Sequence, residues 1–286
     1  MTAFPAQLEA ILDVPYGPLT DRAHLLDILR PRSSSQPSPA IIHFHGGGWR
    51  MFGKYLEDNI FLAEAGFCVV SANYRYSTEA HFPAQLFDVK AVVRFVRAHA
   101  AELNIDPNRI YAWGISAGAH LAALLGTTAN KQELEGNVGL EDARDIGMLG
   151  WRSTVGISSH VAGVAAVCAP TDLTNPVAWA RSYAAPEDGF QLLLGARGDE
   201  RPDLARMASP LFHVTHSAAP FLILHGALDT TVPFSQATGL HSALKKANVS
   251  SELTIIEDGD HFINQTHRDF MQQRILEFFL NRSATP

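Results

Sequence analysis

The stretch Ile110-Tyr111-Ala112-Trp113-Gly114-Ile115-Ser116-Ala117-Gly118-Ala119-His120-Leu121 decides the fold. Its first four residues are continuously apolar, as in a strand covered on both faces. Asp106-Pro107-Asn108 bounds that strand upstream with turn-forming residues. From Ser116 to Gly126 the chain is rich in Ala and Leu and reads as a helix. Gly114-Ile115-Ser116-Ala117-Gly118 stands between the two, a G-x-S-x-G pattern. In a strand–turn–helix setting, small residues flank a serine forced onto a tight turn, where its hydroxyl is exposed as a nucleophile. The plainer reading is a glycine-rich turn with a capping serine.

Outward from this stretch the chain alternates strand and helix. Short runs at Ile11 to Val14 and Leu25 to Leu29 read as antiparallel strands. Continuous apolar runs follow at Ala40 to Phe44, Phe67 to Ser71, Val161 to Cys168, Phe221 to Leu224 and Leu253 to Ile256. Helical spacing appears over Ala84 to Ala101, Phe234 to Ala247 and Asn264 to Leu280. Repeated βα units imply an α/β fold, a mostly parallel sheet of about eight strands with helices on both faces. Residues 1–286 are expected to form one domain, carrying cap-like excursions at about 128–160 and 174–216. The second excursion holds three short helix-like pieces, Val177 to Tyr183, Phe190 to Leu194 and Asp203 to Met207. The patch from Pro31 to Pro39 has the composition of a surface loop.

Composition narrows the function. With 22 basic and 29 acidic residues the net charge is −7, which argues against a nucleic-acid partner. No run of 18 or more apolar residues is present, so no membrane span or membrane partner is expected. The first residues lack a basic then apolar leader pattern, which points to a cytoplasmic protein. Cys68 and Cys168 sit in apolar runs and read as small buried hydrophobes.

A second motif, His45-Gly46-Gly47-Gly48-Trp49, closes the Ala40 to Phe44 run. Consecutive glycines let backbone N–H groups point into a cavity, where two of them can hold an oxyanion. It lacks the lysine of a P-loop and the spacing of a dinucleotide loop. A serine nucleophile needs a base, and the base needs an orienting carboxylate. Asp229 follows the Phe221 to Leu224 strand and His261 follows the Leu253 to Ile256 strand, in the order Ser, Asp, His. All three candidates thus fall at carboxyl ends of parallel strands, where open α/β sheets place their sites. His225, His241 and His267 compete with His261, and Asp258 and Asp260 compete as turn formers. His43 and His45 read as residues that orient the glycine loop. No His pair has metal-ligand spacing, so neither a metal nor an organic cofactor is expected.

These segments, together with Asn73 to Val96 (NYRYSTEAHFPAQLFDVKAVVRFV) and Ala169 to Leu173 (APTDL), resemble the α/β-hydrolase fold. Within it the chain is similar to hormone-sensitive-lipase-like carboxylesterases, and more so to the bacterial feruloyl and acetyl-xylan esterases. Ser77 to His81 (STEAH) replaces the Ala-Pro-Glu pattern of the former, which favours the latter. The resemblance implies Ser116 as nucleophile, Asp229 as acid and His261 as base, with the N–H groups of Gly47, Gly48 and Ala117 as the oxyanion hole. Trp49 and Trp151 are candidate walls of the substrate pocket. The implied partner is a small-molecule ester of a short acyl chain or compact aromatic acid. Whether the chain is a monomer or a homodimer is left open. Amide chemistry on the same residues, as in an arylformamidase or a peptidase, is the first alternative. A non-catalytic ligand-binding protein is the second, and the filled base position argues against it.

Overall fold

A computed structural model of the chain describes residues 4–18, 22–129, 131–138, 153–174 and 189–284. It contains one sheet of eight strands: β1 (Leu8–Pro15), β2 (Leu25–Pro31), β3 (Ser38–Phe44), β4 (Cys68–Ala72), β5 (Ile105–Ile115), β6 (Val164–Val167), β7 (Phe221–Gly226) and β8 (Ser251–Ile256). Their spatial order is β1-β2-β4-β3-β5-β6-β7-β8. β1 and β2 pair antiparallel, as does β2 with β4. Every pairing from β4 through β8 is parallel. The eight strands match the eight apolar runs of the sequence.

Helices cover both faces. The first is α1 (Ile60–Glu64), a short helix that lacks a clear sequence period. The helical stretch after Pro83 divides at His99 into α2 (Ala84–Ala98) and α3 (Ala100–Leu103). α4 (Ala117–Thr127) follows β5 directly. α5 (Gly189–Leu194) and α6 (Pro202–Met207) are the two described pieces of the later excursion; Val177 to Tyr183 lies outside the described residues. α7 (Ser235–Lys246), α8 (Ile263–Thr266) and α9 (Arg268–Ser283) complete the series. No helix among the described residues is long and apolar enough to cross a membrane.

The alternation of side chains along each strand divides the core in two. Ala40, Ile42, Phe44, Ile110 and Ala112 face a layer holding Val89 and Val93 of α2 with Leu121 and Leu124 of α4. Ile41, Tyr111 and Trp113 face the other layer, with Leu62 of α1 and Ile275, Phe278 and Phe279 of α9. Two-sided burial explains why these strands read as unbroken apolar runs. It also directs their carboxyl ends, where the polar loops begin, to one edge of the sheet.

Candidate active site

Ser116 sits between β5 and α4 with φ 54° and ψ −118°, a conformation that costs a non-glycine residue about 1–3 kcal/mol. Neighbours hold it there. Its N–H donates to the Val167 carbonyl at 2.8 Å, and its own carbonyl accepts the His120 N–H at 2.9 Å. Gly118 lets the turn approach β3, because a Cβ there would lie 2.0 Å from the Phe44 carbonyl oxygen. The sequence pattern is thus a packing requirement: the residue flanking the serine must leave room for backbone.

The Ser116 hydroxyl lies 3.0 Å from His261 Nε2. His261 Nδ1 lies 2.7 Å from Asp229 Oδ2. The other carboxylate oxygen, Oδ1, accepts the N–H groups of Thr231 at 2.8 Å and Val232 at 2.7 Å. Because Asp229 accepts through Oδ2, the proton of His261 belongs on Nδ1 and Nε2 is left to accept from Ser116. Burial alone raises a carboxyl, but hydrogen bonds from His225 and His261, the His261 charge and the Val232 amide outweigh it and hold Asp229 well below the usual carboxylate range. The three residues named from the sequence therefore meet in one chain of hydrogen bonds.

The glycine loop abuts them. An ideal Cβ on Gly46 would lie 3.6 Å from the Ser116 Cβ. Gly47 has φ 94°, and a Cβ on it would lie 2.3 Å from the Met51 carbonyl oxygen, so only glycine fits. Gly48 has φ 57° and open space around its missing Cβ. The Gly47 carbonyl accepts the N–H groups of Arg50 and Met51, which turns the loop back on itself. The Ala117 N–H opens the first turn of α4, where no intrahelical acceptor exists.

The sequence offers Trp49 and Trp151 as pocket walls, with anchoring of the glycine loop as the other reading of Trp49. Trp49 is buried, its Nε1 donating to His120 Nδ1 at 3.2 Å and its ring edge-on to Phe190 at 5.1 Å. His120 Nε2 lies 2.6 Å from the Ala208 carbonyl, which accepts only, so Nε2 carries the proton and Nδ1 receives the indole. Trp49 thereby pins the glycine loop to α4 and to the segment after α6, an anchoring role. Trp151 lies outside the described residues.

The competing groups are engaged elsewhere. His45 stacks on Tyr74 at 4.4 Å and is pulled down to about 4 by burial. His43 packs tilted against Trp113 at 4.5 Å and is pulled down to about 3, again by burial. His267 pairs with Asp258 at 3.1 Å, and Asp260 accepts the Phe262 N–H at 2.8 Å as a turn former. His241 bonds Ser251 at 2.9 Å.

Two further side chains lie beside Asp229: Cys168, which the sequence reads as a buried hydrophobe, and His225, which it reads as a competitor of His261. Cys168, just past β6, has a ligating atom within 4.8 Å of those of Asp229 and His261. Burial, with the Asp229 carboxylate second, pushes its thiol far above the usual range, which leaves it a poor nucleophile and a poor metal ligand. His225, in β7, reaches Asp229 Oδ2 at 3.2 Å. The spacing of His225, Asp229 and Val232 was the available signal, and a side chain inside an apolar strand gives little reason to read it.

The BD-FAE family model matches residues 26–244. The esterase LipQ of Mycobacterium tuberculosis is 32% identical over 244 residues, covering 84% of this chain and 53% of LipQ. The esterase LipC of the same organism is 29% identical over 242 residues, covering 83% of this chain and 55% of its own. The chain thus spans about half the length of these curated relatives. Among solved structures, a truncated carbohydrate esterase from gut microbiota superposes with a TM-score of 0.80 at 29% identity, covering 97% of both chains. A propionate-bound esterase of Thermogutta terrifontis gives a TM-score of 0.72 at 25% identity, covering 96% of this chain and 94% of its own.

Proposed function

The chain belongs to the BD-FAE family, and on that premise we propose that it hydrolyses carboxylic esters through an acyl-enzyme on Ser116. The observation that carries the reading is the 3.0 Å and 2.7 Å chain from Ser116 through His261 to Asp229, built on a strained strand-to-helix turn. In this reading His261 Nε2 accepts the hydroxyl proton as Ser116 Oγ attacks the ester carbonyl. Asp229 holds the imidazole in the required tautomer and stabilises its charge. The N–H groups of Gly47, Gly48 and Ala117 receive the tetrahedral oxyanion. His261 then gives its proton to the departing alkoxide. Water, activated by the same nitrogen, releases the acid and restores Ser116.

The proposed substrates are esters of short acyl chains, roughly C2 to C6, or of a compact aromatic acid. The net charge of −7 and the mean hydropathy of +0.01 give little support to a lipid-docking surface. Turnover of p-nitrophenyl esters of increasing chain length, methyl ferulate and acetylated sugars tests this reading, with a formyl anilide and a triglyceride emulsion as controls. Ester turnover should exceed anilide turnover and peak at short chains. A peak at C12 or beyond, a rate jump on emulsions, or preferred cleavage of the anilide would overturn it.

A further inference from the structure

His225 is fully buried, and its Nε2 points at two oxygens: the Val232 carbonyl at 2.8 Å and Asp229 Oδ2 at 3.2 Å. The carbonyl can only accept, so the ring proton sits on Nε2, bonded to Val232 with Asp229 Oδ2 within reach at 3.2 Å. Nδ1 is buried and has no hydrogen-bond partner, so Nε2–H is the ring's one engaged contact. Val232 closes the circuit, since its own N–H donates to Asp229 Oδ1. Asp229 therefore accepts hydrogen bonds from Thr231, Val232 and His261, with His225 Nε2 a further, longer contact 3.2 Å from Oδ2. A carboxylate has about four acceptor positions, and these contacts hold it in a single orientation.

We propose that His225 is a positioning residue for the reaction. It fixes the Asp229 carboxylate and withdraws charge from the same oxygen that holds His261. The proposal rests on the reading of Ser116, His261 and Asp229 as the reacting group. His225 does not contact Ser116 and acts only through Asp229. Two consequences separate this role from simple packing. Without the His225 N–H, Asp229 Oδ2 carries more charge and holds a proton on His261 more firmly. The acid limb of kcat/KM then moves to higher pH. The turnover step suffers while substrate binding does not, because no substrate contact is lost.

Other groups face the same carboxylate. Cys168, at the end of β6, is kept protonated by burial and bonds Asp229 as a weak thiol donor, in wild type and in variants of residue 225 alike. Ser116 faces His261 from the β5–α4 turn. Asp260 is exposed beside His261 and bonds the Phe262 N–H. Asp258 is exposed and paired with His267. Of the two histidines at Oδ2, His225 is the one that takes no part in the proton transfer itself.

The test compares pH profiles of wild type, His225→Gln and His225→Asn on one p-nitrophenyl ester, with Ser116→Ala as control. A glutamine amide nitrogen reaches the position of Nε2, whereas that of asparagine does not. His225→Asn should lower kcat by about 10- to 100-fold with little change in KM. Its acid limb should rise by roughly half a pH unit or more. His225→Gln should return the limb close to wild type. An unmoved or lowered limb in the asparagine variant, or equal shifts in both, would overturn the proposal. Activity surviving in Ser116→Ala would overturn the ester-hydrolase reading instead. Nitrogen NMR on the wild type gives a readout independent of how the variants fold. The neutral His225 ring should show a protonated Nε2 and a bare Nδ1, and the opposite tautomer would contradict the proposal.

Discussion

At the scale of the residue, the site depends on a few atoms whose alternatives are sterically or electrically closed. Ser116→Ala should leave the fold intact and lower kcat by on the order of 10⁴–10⁶, read with purified protein on a short-chain ester. Asp229→Asn places an amide among the donors Thr231, Val232 and His261 and should cost about 10⁴. Asp258→Asn and Asp260→Asn should stay close to wild type, because those carboxylates pair with His267 and the Phe262 N–H. A crippled Asp260→Asn beside a healthy Asp229→Asn would reassign the acid. The glycines of the loop divide in the same way. Gly48→Ala meets open space and should cost only the roughly 1–2 kcal/mol of a left-handed side chain. Gly47→Ala drives a Cβ to 2.3 Å from the Met51 carbonyl and should be far worse in urea unfolding.

At the scale of the element, the described stem of the first excursion is tied to α2 by buried charge. Lys90 Nζ lies 2.6 Å from Glu135 Oε1, and Arg94 lies 3.2 Å from Glu135 Oε2. Burial lowers the Lys90 pKa, and its Glu135 partner opposes that shift. Glu135→Ala would strand both cations and should destabilise by ~3–5 kcal/mol, with Lys90→Met in the same background restoring part of the loss. Urea midpoints decide it, and a neutral Glu135→Ala would contradict the tether. None of this pairing was legible in the sequence, since the partners lie 41 and 45 positions apart and either cation reads as a solvated residue. The strands were legible because two-sided burial leaves an unbroken apolar run, as at Ile41 and Ile42. Sheet order was not, because the β4-β3 exchange depends on how helices pack. α1 escaped because five residues make little more than one helical turn, too short for a spacing to repeat. Ser116, Asp229 and His261 were legible because each follows a strand end. The contact of His225 with Asp229 and the partners of Trp49 were not, because they come from tertiary contact.

At the scale of the whole molecule, several histidines couple the fold to pH. Burial holds His43 at about 3, His45 at about 4 and His120 at about 4. An unfolded chain protonates them near ~6.5, so between about pH 4 and 6.5 the unfolded state binds more protons. Stability therefore rises with pH through that window and falls as the solution is acidified. Near pH 5.5 these three histidines alone contribute a slope of ~4 kcal/mol per pH unit. Urea unfolding between pH 5 and 7 should show that loss, and a stability independent of pH would contradict the buried, uncharged histidines. Asp229 acts in the same direction but at much lower pH. Its depressed pKa contributes stability above the ordinary carboxylate range, lost only in strong acid. The central claim is that one serine of this fold is an activated nucleophile. It is tested most directly by treating the protein with a fluorophosphonate and locating the adduct by peptide mass spectrometry. The account predicts a single stoichiometric adduct on Ser116, abolished in Ser116→Ala and greatly slowed in His261→Ala. Labelling at another residue, or equal labelling of wild type and Ser116→Ala, would contradict it.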